Sequence, residues 1–245
     1  MTAVLQVGDQ TITAEEVIPL LAKYQLLPQL LGEIIIDGAI ATIECTPEEK
    51  TLACQQFDKK NQIGSDEERL AWLERQGMTL EQAEELAVRG LKVEKFKQAT
   101  WSNKLESYFL KRKGQLDRVV YSLLRTQEAT IAQELYFRIQ EGEQAFAELA
   151  RDYSQGPEAQ TGGLVGPVEL STPHPALAQI LTVSKPGQLW PPTRLGEWFI
   201  IVRLEKFFPA QLDDSMRQRL LNELFNTWMQ EQIQQKTSIL KPQNS

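Results

Sequence analysis

The sequence predicts an α+β protein: a mainly helical N-terminal arm and a returning C-terminal helix flank a small mixed domain. Capped helical segments recur through the first 115 residues. Two β-branched apolar runs, Arg118–Leu124 and Glu197–Leu204, then bracket a stretch rich in Gly and Pro. After Pro209 a long stripe of apolar residues recurs at three and four positions. These observations divide the chain into a helical region 1–116, a small α+β domain 117–208 and a C-terminal amphipathic helix 209–245 expected to pack on the first region.

The opening reads as a β-hairpin, with Val4, Leu5 and Val7 before a Gly8-Asp9 turn and Thr11 and Ile12 after it. Thr13 with Glu16 forms a capping box at the start of a helix whose Val17, Leu20, Leu21 and Tyr24 define a buried face. Pro19 bends this segment and Pro28 ends it. Ile34, Ile35, Ile36, Ala39, Ile40 and Ile43 make a second helix that is apolar all round, and so is expected to be central. Thr46-Pro47-Glu48-Glu49 combines a capping Thr, a first-turn Pro and a box Glu. Ser65-Asp66-Glu67-Glu68 repeats that logic, Gly77 terminates the helix it starts, and Thr79 with Gln82 opens the next, which runs to about Lys113.

Gly114 and Gln115 mark a change of character. Arg118–Leu124 is a strand, 129–141 a helix ended by Gly142, and 144–153 a shorter helix. Gln155-Gly156-Pro157 and the run from Thr161 to Pro167 read as loop, a short helix covers Ala176–Leu181, and Lys185–Gln188 turns into the strand 197–204. Trp190-Pro191-Pro192 reads as a rigid loop. In the last segment Met216, Leu220, Leu221, Leu224, Phe225, Trp228, Met229 and Ile233 form a long apolar face that must dock on something, and the tail from Lys236 is expected to fray.

Composition narrows the function. The chain has 245 residues, 42% of them apolar and 24% charged, which is enough to bury a core. A net charge of −7 with no long basic run argues against nucleic acid as partner, since phosphates are bound through Lys and Arg. Cys45 and Cys54 are the only cysteines and His174 the only histidine, so no familiar zinc or iron–sulfur ligand set can be assembled and a disulfide framework is not expected. There is no GxGxxG, P-loop or GxSxG motif, and no metal or cofactor is expected. The apolar patch around Leu30–Ile36 is broken by Gly32 and Glu33 and is too short to span a bilayer. The first residues show no signal-peptide pattern, so a cytoplasmic location, or export before this numbering begins, is the expectation.

The middle of the chain resembles a known family. Phe146–Gln155, with its aromatic-Ser ending at Tyr153-Ser154, resembles the signature helix of parvulin-type prolyl isomerases. Gly162-Gly163-Leu164-Val165-Gly166 is similar to the glycine loop that follows it there, Lys185–Gln188 to the turn before the last strand, and Trp198–Glu205 to that strand. The flanking layout resembles SurA-like and trigger-factor-like chaperones. The resemblance implies a parvulin-like α+β domain, no cofactor, and unfolded or extended proline-containing polypeptide as partner, secretion substrates among them.

At the active site the chain departs from the family. Ser122 stands at the first family His, in Tyr121-Ser122-Leu123-Leu124, and Phe199 at the second. Gly156 stands at the usual Asp or Cys, and the Met and Phe of the proline pocket fall around Leu170–Leu177. The resemblance therefore implies Ser122 and Phe199 as catalytic positions, with Tyr121, Leu124, Gly156, Leu170, His174, Leu177 and Trp198 as substrate-binding positions. His174, between two prolines, corresponds to neither family His and reads most simply as an exposed loop residue. Rotation about an X–Pro bond needs no covalent chemistry, and an apolar cradle that favours the twisted amide lowers its barrier of about 18–20 kcal/mol. With the paired imidazoles replaced, catalysis is expected to be weakened or lost. Three readings stay open: a prolyl isomerase, a non-catalytic chaperone or adaptor that holds peptide, and a structural subunit docked on one fixed partner.

Overall fold

The computed structural model describes residues 3–236. Contacts divide the chain into two compact units: Glu106–Met216, and the residues up to Leu105 together with those from Arg217 onward.

In the second of these units, β1 (Ala3–Val7) and β2 (Gln10–Thr13) form an antiparallel hairpin. Helices α1 (Ala14–Lys23), α2 (Leu27–Ile40), α3 (Pro47–Lys60), α4 (Asp66–Gln76) and the start of α5 (Leu80–Leu116) follow. Their starts obey the capping logic. The Glu16 carboxylate accepts from the Thr13 amide and hydroxyl at 2.8 and 2.9 Å. Thr46 and Glu49 exchange bonds reciprocally, as do Thr79 and Gln82. Gly77 closes α4 in the left-handed region, at φ 63°.

Helix α9 (Asp214–Lys236) meets α5 through Lys97, a buried ammonium that donates to Glu94 (2.6 Å) and Asn222 (2.8 Å) over the Phe225 ring. Phe96, Trp101, Phe225 and Trp228 join there in one aromatic cluster.

Several expectations for this unit do not hold. Tyr24 is not on a buried face: it is the C-terminal cap of α1 and 60% exposed, and α1 buries no residue fully. Helix α1 ends at Lys23, so Pro28 opens α2 rather than closing α1, because its missing N–H is harmless in a first turn. Helix α2 is not central, since Ile34 is 58% exposed and only Gly32 and Ile40 are buried. Apolarity all round a helix calls for a covering surface, and within this unit only one side of α2 finds it.

The Glu106–Met216 unit is built on a four-stranded antiparallel sheet in the order β4-β3-β6-β5. Its members are β3 (Arg118–Thr126), β4 (Leu164–Glu169), β5 (Leu189–Leu195) and β6 (Trp198–Phe208). Helix α5 runs through Gly114 to Leu116 before β3 begins, so Gly114 does not break it. Helices α6 (Ala129–Gln140) and α7 (Phe146–Tyr153) pack Leu135, Phe146, Leu149 and Ala150 against Leu124 and Ile201 on one face of the sheet. On the other face, α8 (Pro175–Val183) packs Leu177 and Leu181 against Val119, Tyr121, Ile200, Val202 and Leu204.

Two stretches read as loop are edge strands. Residues 164–169 pair with β3 as β4, and Trp190-Pro191-Pro192 lies in β5, where the register shifts between Trp190 and Thr193. Proline is tolerated on a sheet edge and at bulges, so its presence hides a strand without forbidding one. Gly163 and Gly166 have φ of 82° and 110°, and a Cβ there would come 2.7 Å from the Leu123 carbonyl and 2.5 Å from the Val119 carbonyl. Both glycines are therefore required by the close approach of this segment to β3. The segment expected to fray continues past Lys236 into residues outside those described.

Candidate functional site

Strand alternation decides which side chains can act together, because successive residues face opposite sides of a sheet. On β3, Tyr121 and Leu123 lie on the α8 side and Leu124 on the α6–α7 side. Alternation therefore places Ser122 on the α6–α7 side. On β6, Trp198, Ile200 and Val202 lie on the α8 side and Ile201 opposite, so Phe199 also belongs to the α6–α7 side.

Ser122 and Phe199 do not meet. Ser122 is opposite Arg203 in the ladder, whereas Phe199 is opposite Thr126, a separation of four residues, or about 13 Å along the strand. The Ser122 hydroxyl is buried and donates to Glu205 at 2.6 Å. Glu205 also accepts from Arg203 at 2.8 Å, and the Arg203 guanidinium lies over the Phe146 ring. Glu205 is the extra residue where the β3–β6 register shifts, so this triad ties down a β-bulge. Leu124 is fully buried on the same side and offers no surface to a ligand.

The α8 side brings together Tyr121, Trp198, Leu170 and Leu177. It also carries a polar cluster that sequence reading missed. Arg125 and Glu158 form a two-pronged ion pair, Nε to Oε1 at 3.0 Å and Nη2 to Oε2 at 2.8 Å. Ser154 donates its hydroxyl to Glu158 at 2.6 Å and accepts from the Arg125 amide at 3.1 Å. The Arg125 guanidinium stands over the Trp198 ring, 5.6 Å from its centre. The Glu158 side chain is 4% exposed and that of Arg125 27% exposed, so the carboxylate is sealed beneath a cation that still reaches solvent.

Tyr121 senses the pair. Burial raises its phenol above the ordinary value, Glu158 pushes it the same way, and Arg125 partly offsets both. The phenol is thus a proton-bearing donor through the neutral pH range.

Gly156 explains how the pair fits. Its backbone is extended, at φ −117° and ψ 174°, so no unusual conformation calls for glycine. Space does: a Cβ would lie 2.0 and 2.2 Å from Arg125 nitrogens and 2.3 Å from Glu158 Oε2. The ion pair occupies the volume that a side chain at 156 would fill. The only sequence signal for it was Glu158, an acid two residues after a glycine where the family resemblance implies Asp or Cys.

His174 caps α8, its Nδ1 accepting from the Ala176 amide at 3.3 Å, and is exposed. Leu170 and Leu177 are core residues beneath the α8 face. Among the described residues no three His, Cys, Asp or Glu side chains gather as metal ligands, and no helix is long and apolar enough to cross a membrane.

Residues 111–206 match the family model of the PPIC-type PPIase (rotamase) domain. The chaperone SurA of Pseudomonas savastanoi is 32% identical over 117 residues, 46% of this chain and 27% of SurA. The aligned part thus spans about a quarter of that relative's length. Among solved structures, the peptidylprolyl isomerase PrsA of Bacillus cereus superposes with a TM-score of 0.46 at 16% identity, covering 98% of this chain and 95% of PrsA. The parvulin domain of PpiD from E. coli gives a TM-score of 0.35 at 28% identity, covering 41% of this chain and 97% of that domain. Residues 111–206, less than half of the chain, thus match the PPIC-type rotamase domain, and just under half of the chain is similar in sequence to part of SurA.

Proposed function

We propose that the rotamase domain binds extended, proline-containing polypeptide on the α8 side of its sheet and isomerises it weakly or not at all. The observation that carries this reading is the composition of that face. Tyr121, Arg125, Trp198 and Glu158 converge there, while the only histidine of the chain, His174, is engaged as a helix cap. An aromatic plane beside hydrogen-bond donors can hold a prolyl peptide. Trp198 offers apolar surface to the pyrrolidine ring, and the half-buried Arg125, which still reaches solvent, is the donor for a carbonyl oxygen.

Catalysis demands more than holding. Only interactions stronger in the twisted amide than in the planar one accelerate rotation. Ser122 supplies none, because its hydroxyl is buried and already donates to Glu205, and Phe199 has no hydrogen-bonding group. With these two positions withdrawn from the α8 side, binding without efficient turnover is the expected behaviour. Such a domain serves as a chaperone or adaptor module.

The test pairs two measurements on the full chain. Titration of X-Pro tetrapeptides against Trp fluorescence is expected to saturate, and a protease-coupled isomerase assay to stay near the uncatalysed rate. Rapid turnover would overturn the weakened-catalysis reading, and absence of binding to every prolyl peptide would overturn the peptide-binding one. Suppression of aggregation of an unfolded client at stoichiometric concentration is the expected companion result.

A further inference from the structure

We infer that the Arg125–Glu158 pair makes the proposed peptide site blind to charge, with Glu158 as the positioning and specificity-determining residue that masks the Arg125 cation. This rests on the peptide-binding reading above. An arginine that reaches solvent on a peptide-binding face would ordinarily select acidic residues, since guanidinium and carboxylate make two-pronged contacts. Here both prongs that face Glu158, Nε and Nη2, are already taken at 3.0 and 2.8 Å. The partner carboxylate lies sealed directly beneath the cation, so a ligand meets a nearly neutral pair.

The surroundings hold this arrangement in place. Ser154 bonds both partners, its hydroxyl to Glu158 and its oxygen to the Arg125 amide. The guanidinium stands over the Trp198 ring, 5.6 Å from its centre. Gly156 leaves the volume that the pair fills. Ser154, Trp198 and Gly156 thus keep Arg125 paired with Glu158, and the cost of desolvating Glu158 is met by three hydrogen bonds. The residual interaction Arg125 can offer is a neutral one, a hydrogen bond to a carbonyl oxygen, and it suits any sequence.

The experiment compares binding of matched tetrapeptides with Glu, Gln or Lys beside the proline, at low and high salt. Wild-type protein is expected to bind the three within about twofold, with little salt dependence. Glu158→Gln keeps the shape and one of the two acceptor oxygens while removing the charge, and is expected to favour the Glu peptide by about tenfold at low salt, fading at high salt. The double variant Arg125→Met with Glu158→Leu replaces the pair by apolar groups and should return to the flat wild-type pattern. A strong acidic preference in wild-type protein, or no gain of preference in folded Glu158→Gln, overturns the inference while leaving peptide binding intact. Failure of all three peptides to bind wild-type protein overturns both readings.

Discussion

The four-stranded sheet and the N-terminal hairpin with its first two helices are both rich in apolar residues, yet they use them differently. In the sheet domain Val119, Leu124, Leu149, Leu181, Ile201 and Leu204 are wholly buried. In the N-terminal segment Val4, Leu5, Val7, Ile18, Tyr24, Leu26 and Ile34 are largely exposed, and only Gly32 and Ile40 of α2 are buried. A sheet covered on both faces gives every inward side chain a partner, whereas a two-stranded hairpin and one short helix cannot cover each other. Hydrophobic composition therefore states how much surface must be covered, and architecture decides whether it is.

The largest effect that would sharpen this contrast is in the sheet core. Leu149→Ala is expected to destabilise the sheet domain by about 2–5 kcal/mol in denaturant unfolding, since it empties a closed site. Gly156→Ala comes next, at about 1–3 kcal/mol, because the added methyl overlaps the Arg125–Glu158 pair. A stability unchanged by this variant would mean that the pair moves aside. Thr46→Ala removes the reciprocal cap of α3 and should cost about 1 kcal/mol, read as lost helicity and a lower melting temperature.

A smaller effect concerns pH. The Tyr121 phenol is raised in the folded protein, so the native state holds its proton where the unfolded chain releases it. The resulting contribution is complete below the ordinary tyrosine value of about 10 and declines as pH climbs from there towards the raised folded value. Tyr121→Phe should flatten that alkaline decline in a pH series of unfolding curves. Smallest of all, Ile34→Ala should change stability by no more than about 0.5 kcal/mol, as for an exposed site. A loss comparable to that of Leu149→Ala would break the comparison and show that the face of α2 is covered in solution.

Helix starts were legible because a cap is a local event. Thr46 with Glu49 and Thr79 with Gln82 need only three residues to meet. The two central strands were legible because burial on both faces selects uninterrupted β-branched and apolar runs. The edge strands were not: Gly163, Gly166, Pro191 and Pro192 satisfy close approach and bulging, and they look like loop residues in one dimension.

The candidate site divides in the same way. Tyr121, Trp198, Leu170 and Leu177 are positions the resemblance implies, and the sheet places them on one face. Ser122 and Phe199 occupy matching motif positions, yet alternation sends both to the other face and the ladder sets them four residues apart. Arg125 and Glu158 were passed over, because residues 33 positions apart acquire meaning only when folding brings them within 3 Å.

By itself, the sequence determined the succession of capped helices, the two apolar strands, the absence of paired histidines and the family resemblance of the middle segment. Each is carried by neighbours in the chain or by composition. Tertiary structure alone decided which face each strand residue joins, that the volume at Gly156 is filled by an ion pair, and that the apolar surface of α2 stays half uncovered. Those outcomes depend on sheet register and on contacts between distant residues. A one-residue change of register would reverse every one of the strand assignments without altering a letter of the sequence.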